Sequence, residues 1–387
     1  MTAAEFMAKH GADACAIDGN ACLNALLHQM DEGLAGRGRI PMLPSYLHNE
    51  ISVPEGASCA VLDAGGTNLR TARAVWDGTR WHLQNLRKQA MPGTEGELSC
   101  DGLYAALAAP VKSLGEFDRV GFCFSYNVSL DRSLDGPLDF WCKEVRAPEA
   151  VGKPGGASLS KALGGGSVHV LNDSVAAMLG ADDVQVGVIL GTGVNVCYLE
   201  RCDAIPKVPA DLRAERMIIS TEVGEFGGFP RSAFEEAVIA ASDAPDSAPA
   251  EKQCSGGYLG DVIAMAWRTA RAEGLLPSLP PADLGSVSAM LMEEPDTPAA
   301  RIAAIAVARA AKIAAVLCAG PILRAARDTD TVRVAVEGSQ YWRLTGFRTA
   351  FHRELDRLLP QGVTCQIVQS ENACLIGAAR AAWADPI

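Results

Sequence analysis

Twice in this chain an apolar strand pattern runs into a turn of small and polar residues and straight out again as a second strand. Leu62 to Ala74 reads LDAGGTNLRTARA, and Ile189 to Glu200 reads ILGTGVNVCYLE. Glycine at such a turn lets backbone N–H groups approach an anion, and Thr and Asn add hydroxyl and amide donors. The first turn offers Gly65, Gly66, Thr67 and Asn68 behind the strand-end acid Asp63; the second offers Gly191, Thr192, Gly193 and Asn195. Neither is a Walker A loop, since no Gly-Lys-Ser/Thr is present, and a strand rather than a helix follows each, which excludes the dinucleotide fingerprint. Taken singly, either is also an ordinary hairpin. The likeness between them is too short to establish a duplication, yet two such turns facing one cleft cradle one phosphate-bearing ligand. Between them Asn172-Asp173 sits where the strand SVHVLND meets the helix SVAAMLG, a common catalytic address in open α/β sheets. From the residues alone, Asp173 reads equally as a helix N-cap.

The 387 residues, 49% of them hydrophobic, support two or three domains with buried cores. A net charge of -12 and the lack of a basic stripe argue against a nucleic-acid partner. The opening MTAAEFMAKHGADACAID has no continuous apolar segment like that of a secretory signal. The most apolar window, Ile302 to Gly320, carries Arg309 and Lys312 and is rich in Ala, which predicts a buried helix rather than a bilayer span. A cytoplasmic protein with no membrane partner is the expectation. The 12 cysteines form no C-x-x-C pair and read as small core residues, and the six histidines are scattered. Any metal is therefore expected to be a hard cation held by oxygens.

Along the chain, residues 1–48 show helical periodicity, best in AIDGNACLNALLHQMDEGLAG. A β-meander is predicted from Ala57 to Gln89, a helix in LSCDGLYAALAAPVKSL, a buried strand in DRVGFCFSY, and then a loop-rich stretch to about Gly166. Residues 230–330 read as mostly helical. RVAVEGSQY is a strand entering a Gly-Ser turn, followed by the helices FRTAFHRELDRLLP and ENACLIGAARAAWAD. The class is α/β, with an N-terminal helical segment over 1–48, a small domain over 49–172 and a large one over 173–387, whose last helix packs back on the small domain.

LDAGGTNLR, GFCFSYN, WCKE, LNDSVAAM, VILGTGVNVCYLE, STEVGEFGGF, EKQCSGGYLGD, VEGSQY and SENACLIGAA, in that order, resemble the hexokinase family of eukaryotic type. The resemblance runs from Met42-Leu43-Pro44 to the C-terminus. It implies the actin-like ATPase (ribonuclease H-like) fold, two domains of mixed β-sheet and helices closing on a sugar. It also implies an ATP-dependent hexokinase activity, glucose being the default substrate. By the same resemblance Ser125, Cys142, Lys143, Asn172, Asp173, Asn195, Glu222 and Glu251 fall at sugar-contacting positions. Asp173 is the general base for the sugar 6-hydroxyl, and Lys143 joins it in the catalytic set. Asp63 holds Mg²⁺ through water, while Gly65, Gly66, Thr67, Asn68, Arg70, Gly191, Thr192, Gly193, Gly338 and Ser339 meet the nucleotide. The implied cofactor is Mg²⁺ with ATP, the implied partners are a hexose and ATP, and the chain is expected as a monomer or homodimer.

Several positions depart from the family pattern. Thr and Gly are usual where Cys142 and Glu144 stand, FSFP where FSYN stands, and Trp and Ala where Val223 and Glu225 stand. Glu337 replaces an Asp. Ala373, Cys374 and Leu375 replace a Gly-Ser-Gly turn expected beside the adenosine. A kinase for another hexose or an amino sugar, or a non-catalytic sugar sensor, are the competing readings.

Overall fold

A computed structural model describes residues 1–141, 145–212 and 215–387. Helices α1 (Ala3–Lys9) and α2 (Gly19–Leu34) open the chain, and each begins at a side-chain cap, Thr2 and Asp18 respectively. A short strand β1 (Leu43–Pro44) follows. Next comes the antiparallel meander β2 (Ser58–Ala64), β3 (Asn68–Trp76) and β4 (Trp81–Ala90). Helix α3 (Cys100–Lys112), strand β5 (Arg119–Phe124), the ribbon β6 (Asn127–Val128) and β7 (Leu138–Phe140), helix α4 (Gly155–Leu163) and strand β8 (Ser167–Leu171) complete the first half. Helix α5 (Asp173–Leu179) leads into β9 (Val186–Leu190), β10 (Val194–Arg201) and β11 (Arg216–Ser220). Helices α6 (Ala233–Ala241), α7 (Pro249–Cys254), α8 (Gly256–Ala272), α9 (Leu284–Glu293) and α10 (Pro298–Ala325) come next. The chain closes with β12 (Thr331–Glu337), α11 (Ser339–Arg343), α12 (Phe347–Leu358), β13 (Thr364–Val368) and α13 (Ala373–Ala381).

Among the described residues the longer strands form two sheets, one ordered β4-β3-β2-β5-β8 and one ordered β1-β11-β10-β9-β12-β13. In the first, β2, β3 and β4 run antiparallel, and β5 then β8 add parallel on the other side of β2. In the second, β9, β10 and β11 run antiparallel, and β12 then β13 add parallel on the other side of β9. The topology is the same in both, so the two glycine turns occupy equivalent places, each joining the first strand of its sheet to the second. The short sequence likeness is thus accompanied by a full repeat of strand order and direction.

Helix α10 is long and apolar enough to cross a membrane by length and composition, but 78% of its most apolar window is buried inside the molecule. Its charge at Arg309 is paired within the core: the guanidinium meets Glu235 at 2.8 Å and donates to the carbonyls of Asp13 (2.9 Å) and Pro230 (2.5 Å). Phe6, Leu26 and Met30 of the first two helices are buried in the same apolar cluster as α10 and the six-stranded sheet. Eight of the described cysteines are buried, in keeping with the core role expected of them, whereas Cys15 is exposed and Cys100 and Cys365 are partly so.

Three segments differ from the sequence-based expectation. The stretch before Gly166 is not loop throughout, because α4 forms there. Its opening Gly155-Gly156 gives no local helix signal, and its cap comes from far along the chain: Asp135 accepts from the N–H groups of Gly156 (2.6 Å) and Ala157 (2.8 Å). Strands β11 and β13 also form where the sequence shows no strand signal. β13 is an edge strand, partly exposed throughout, so no clean alternation marks it.

The C-terminal helix sets the floor between the two sheets. A Cβ on Gly121 of β5 would meet the Ala378 carbonyl oxygen at 1.9 Å, and one on Gly377 would meet the Ala176 oxygen of α5 at 1.9 Å. Helix α13 is therefore wedged against β5 on one side and α5 on the other, at a distance only glycine permits. Gly377→Ala should lower stability by about 1–3 kcal/mol through overpacking. Urea denaturation checks it, and an unchanged midpoint would contradict this close seat.

Candidate active site

The junction between β8 and α5 is organised by Asn172. Its Oδ1 accepts from the N–H and the hydroxyl of Ser174, both at 2.8 Å, so Asn172 is the helix cap and Asp173 is the first helical residue. The capping role open to Asp173 from sequence thus belongs to its neighbour. Asn195, at the start of β10, donates from Nδ2 to Glu222 Oε1 at 2.6 Å and to Ser220 Oγ at 3.0 Å, with Asn172 Oδ1 at 3.3 Å. Its Oδ1 accepts from the Glu222 N–H at 3.0 Å. Glu222 has a left-handed backbone, φ 58°, and this double grip, with the Ser220 hydroxyl at 2.9 Å, holds it there. Non-glycine residues in that region persist where the surroundings over-determine them, commonly at functional sites.

Burial pushes the Glu222 carboxyl up to about 7; the Ser220 and Asn195 hydrogen bonds oppose it, and the charges of Asp173 and Glu251 add to it. Glu251, on α7, accepts from the Val194 N–H at 2.9 Å and leans over the second turn, where a Cβ on Gly193 would lie 2.6 Å from its Oε2. Glu222 and Glu251 line an open cleft of about 1200 Å³ together with Asn127, Trp141, Glu225 and Tyr258, and the Asn195 amide ties Glu222 to Asn172, the residue before Asp173. Ser125 sits nearer the first turn, with its N–H on the Ala64 carbonyl at 3.2 Å. Cys142 and Lys143, with Glu144, lie outside the described residues.

Two departures from the family pattern acquire structural roles. Val223 is fully buried, and Glu225 accepts from the Ala248 N–H at 2.8 Å with Arg39 at 3.4 Å, bracing the cleft wall.

The residues expected to cradle phosphate form two turns. In the first, Gly65 N–H donates to the Asn68 carbonyl at 3.0 Å, Asn68 Nδ2 meets Thr67 Oγ1 at 2.9 Å, and the chain there is partly or fully exposed. Asp63 behind it is buried and paired with Arg70 across the hairpin, at 2.5 and 2.7 Å. In the second, the carbonyls of Gly191 and Thr192 accept from the N–H groups of Gly256 (2.8 Å) and Gly257 (2.9 Å), which fixes the turn to the start of α8. The turn at Gly338, φ 122°, crosses directly over it, and a Cβ there would lie 2.1 Å from the Leu190 oxygen. Glu337 beside it is half-buried; desolvation raises its carboxyl, and Arg70 opposes this.

A pocket of about 570 Å³ opens beside this second turn, bounded by Gly191, Thr192 and Ser339 together with Leu284, Gly285, Ser288 and Arg343. The last four went unnoticed in the sequence. Leu284, Gly285 and Ser288 come from α9, which carries no motif, and Arg343 from the end of α11 beyond VEGSQY, so only the fold brings them to the turn. Ala373, Cys374 and Leu375, expected beside an adenosine, are instead buried at the start of α13, where the Ala373 N–H donates to Glu337 Oε1 at 3.2 Å.

Sequence profiles of the hexokinase family match residues 18–182 and residues 185–284 and 294–384. The chain belongs to the hexokinase family. It is 33% identical over 282 residues to the tobacco protein (Nicotiana tabacum) named Hexokinase-2, chloroplastic, which covers 66% of this chain. There it spans about half the length of its curated relative, 54%. Tobacco Hexokinase-1 is 29% identical over 425 aligned positions, covering 92% of this chain and 85% of the relative. A solved hexokinase from Schistosoma mansoni, complexed with glucose, superposes with a TM-score of 0.84 at 23% identity, covering 99% of this chain and 100% of that one. The fold is accordingly that of hexokinases, the actin-like ATPase fold. The expected cytoplasmic location is corrected: relatives named as chloroplastic are among the matches, so family membership does not carry that address.

The folded Glu222 carboxyl keeps its proton to about pH 7, whereas an unfolded one releases it near 4.5. The native state thus binds the extra proton in that window, and the stability contributed by this group falls as pH rises through it. Glu222→Gln should abolish the trend, with wild type losing on the order of 2 kcal/mol relative to the variant across the window. Denaturation at stepped pH checks this, and a difference that stays flat would show that Glu222 is not a desolvated acid.

Proposed function

We propose that this hexokinase-family chain is an ATP-dependent hexokinase that transfers the terminal phosphoryl group of ATP to the 6-hydroxyl of a hexose, glucose being the default. One observation carries the reading. Asp173 follows Asn172 of the Asn195–Glu222 network, and its backbone carbonyl lies 3.7 Å from the Cys374 Sγ at the start of α13, where the Ala373 N–H meets Glu337. A carboxylate so placed stands between a set of hydroxyl-reading side chains and two phosphate-cradling turns.

On this reading Asn172, Asn195, Glu222 and Glu251 hold the ring hydroxyls, with Ser125, Cys142 and Lys143 as further contacts. Each acid and amide left unpaired by a substrate lacking a hydroxyl penalises that substrate, which is the source of selectivity. Asp173 accepts the 6-hydroxyl proton as that oxygen attacks phosphorus; in a loose transition state the proton leaves late, so position matters more than basicity. The N–H and hydroxyl groups of Gly65, Gly66, Thr67, Asn68, Gly191, Thr192 and Gly193 bind phosphate oxygens, with Arg70 behind them. Gly338 and Ser339, with the pocket beside them, take the nucleoside.

The site fits a magnesium ion carried in with ATP. Asp63 and Glu337 supply hard oxygen donors, and the described residues hold no cluster of three or more His, Cys, Asp or Glu that would form an all-protein cage. Mg²⁺ is commonly held by one or two carboxylates, water and substrate phosphates, which suits Asp63 acting through water. When bound, the ion offsets charge building on the phosphate oxygens. Residues 49–172 then act as the small lobe and 173–387 as the large one, with 1–48 packed on the latter. Closing the lobes excludes the water that would otherwise compete as acceptor.

ADP release with Mg·ATP across glucose, fructose, mannose and N-acetylhexosamines tests the reading directly. Asp173→Ala should lower kcat by about 10²- to 10⁴-fold with sugar affinity kept within tenfold. Sugar binding without ADP release from the wild-type protein would make it a sensor, and an Asp173→Ala variant with a third of wild-type kcat or more would remove the base.

A further inference from the structure

The buried hydroxyl of Ser220, to which the phosphoryl-transfer reading gives no part, stands where the sugar-side network converges. Asn195 Oδ1 accepts from the N–H groups of Val196 (2.8 Å) and Glu222 (3.0 Å), which decides which end of that amide donates. Its Nδ2 donates to Ser220 Oγ at 3.0 Å, so Ser220 keeps its own proton for Glu222 Oε1, 2.9 Å away. The neighbouring Ser174 hydroxyl donates to Asn172 Oδ1 at 2.8 Å instead. Asn195 Nδ2 ends on the same Glu222 oxygen at 2.6 Å. Two donors thus meet Oε1, whereas Oε2 has no hydrogen-bond partner among the described residues, and Glu222 keeps part of its surface on the cleft. The charges around it are mostly of its own sign. Asp173 of α5 and Glu251 of α7 act on it directly, and Glu225 and Asp243 stand on the same cleft wall. Lys252, the one cation among the described lining residues, donates to the carbonyls of Ala244 and, at 2.8 Å, Ser247.

We propose that Ser220 is a positioning residue of the sugar site: with Asn195 it holds Glu222 Oε1, so that Oε2 carries the proton and Glu222 acts as a neutral hydrogen-bond donor to a hydroxyl oxygen of the hexose. The role towards sugar rests on the hexokinase reading, whereas the placing of the proton on Oε2 does not. A carboxyl with two donors on one oxygen has its proton on the other. Like charges nearby and the loss of water both favour the neutral acid, in keeping with a carboxyl raised to about 7. The chemistry of the ligand points the same way. Each sugar hydroxyl brings one proton and two lone pairs; carboxylates take the proton and leave the lone pairs unserved, and an Oε2–H serves them. Seating the hexose displaces water from the cleft and raises the carboxyl further, so binding takes up a proton above about pH 7 and none well below it. The Ser220 bond favours the anion and opposes this rise, so its removal moves the profile to higher pH.

Calorimetry of glucose binding to the whole chain, in buffers of different ionisation enthalpy, counts the protons exchanged. The wild-type protein should take up roughly half a proton or more per glucose at about pH 8 and almost none at about pH 5.5. Its Kd should rise about fivefold or more between about pH 6 and about pH 8. Glu222→Gln, which presents a donor at every pH, should remove both trends. Ser220→Ala should move the rise in Kd upwards by about 0.5–1 pH unit, whereas a role in packing alone would change Kd equally at every pH. Ser220→Thr keeps the hydroxyl and should restore the wild-type profile. Proton release, a Kd that stays flat or falls with pH, uptake that persists in Glu222→Gln, or an unmoved profile in Ser220→Ala overturns the proposal. A protein that binds no hexose refutes the kinase reading and the role towards sugar. Carbon-13 NMR of glutamate-labelled protein then still reads the Glu222 carboxyl, assigned by its loss in Glu222→Gln. A midpoint near 4.5, or one that Ser220→Ala does not raise, overturns the placing of the proton.

Discussion

The side-chain amide of Asn195 ties three separately built pieces of this molecule to one another. Its donor face reaches Ser220 at the end of β11 and Glu222 just beyond it and lies near Asn172 at the cap of α5, while its acceptor face takes the Glu222 N–H. A single amide thereby fixes a strand start, a helix start and a strained backbone turn relative to the second glycine hairpin. Half-satisfied buried polar networks are costly, so the arrangement has few alternatives. The position of Asp173 follows from it, because the residue that caps α5 is the one Asn195 approaches.

The phosphate end is governed by a different balance. Asp63, Glu337 and Asp173 bring negative charge towards the place where an anionic nucleotide is proposed to sit, and Arg70 is the cation paired among them. Uncompensated, such a cluster repels phosphate; with a divalent ion it becomes a receptor for it. This end therefore suits a metal–nucleotide complex better than a bare anion, whereas the proposed sugar end presents neutral amides and a largely desolvated acid.

Much of this was legible in the sequence because the decisive signals are local. Gly65, Gly66, Gly191 and Gly193 mark turns by composition, and the apolar runs beside them mark strands. What was illegible depends on contacts between distant segments. Helix α4 draws its cap from Asp135, whose sequence position advertises nothing. The pocket beside Ser339 takes Leu284 and Ser288 from a helix without motif. Asn172 and Asp173 are both good caps by type, and the fold rather than propensity assigns the role. Ala373-Cys374-Leu375 reads as a lost turn, yet it is a buried helix start whose thiol lies by the Asp173 carbonyl. Cellular address has no physical signature in these residues, and reasoning from net charge and hydropathy had no purchase on it.

The pairing of Arg309 with the Asp13 carbonyl joins positions 296 residues apart. During synthesis at roughly 5–20 residues per second, α1 and α2 leave the ribosome on the order of 15–60 s before α10 exists to receive them. Through that interval Phe6, Leu26 and Met30 have no core to enter, although a five-stranded sheet can assemble downstream. Residues made well before α10 are thus among the last to be housed, and the growing chain must keep an apolar pair of helices from finding the wrong partner until its own arrives.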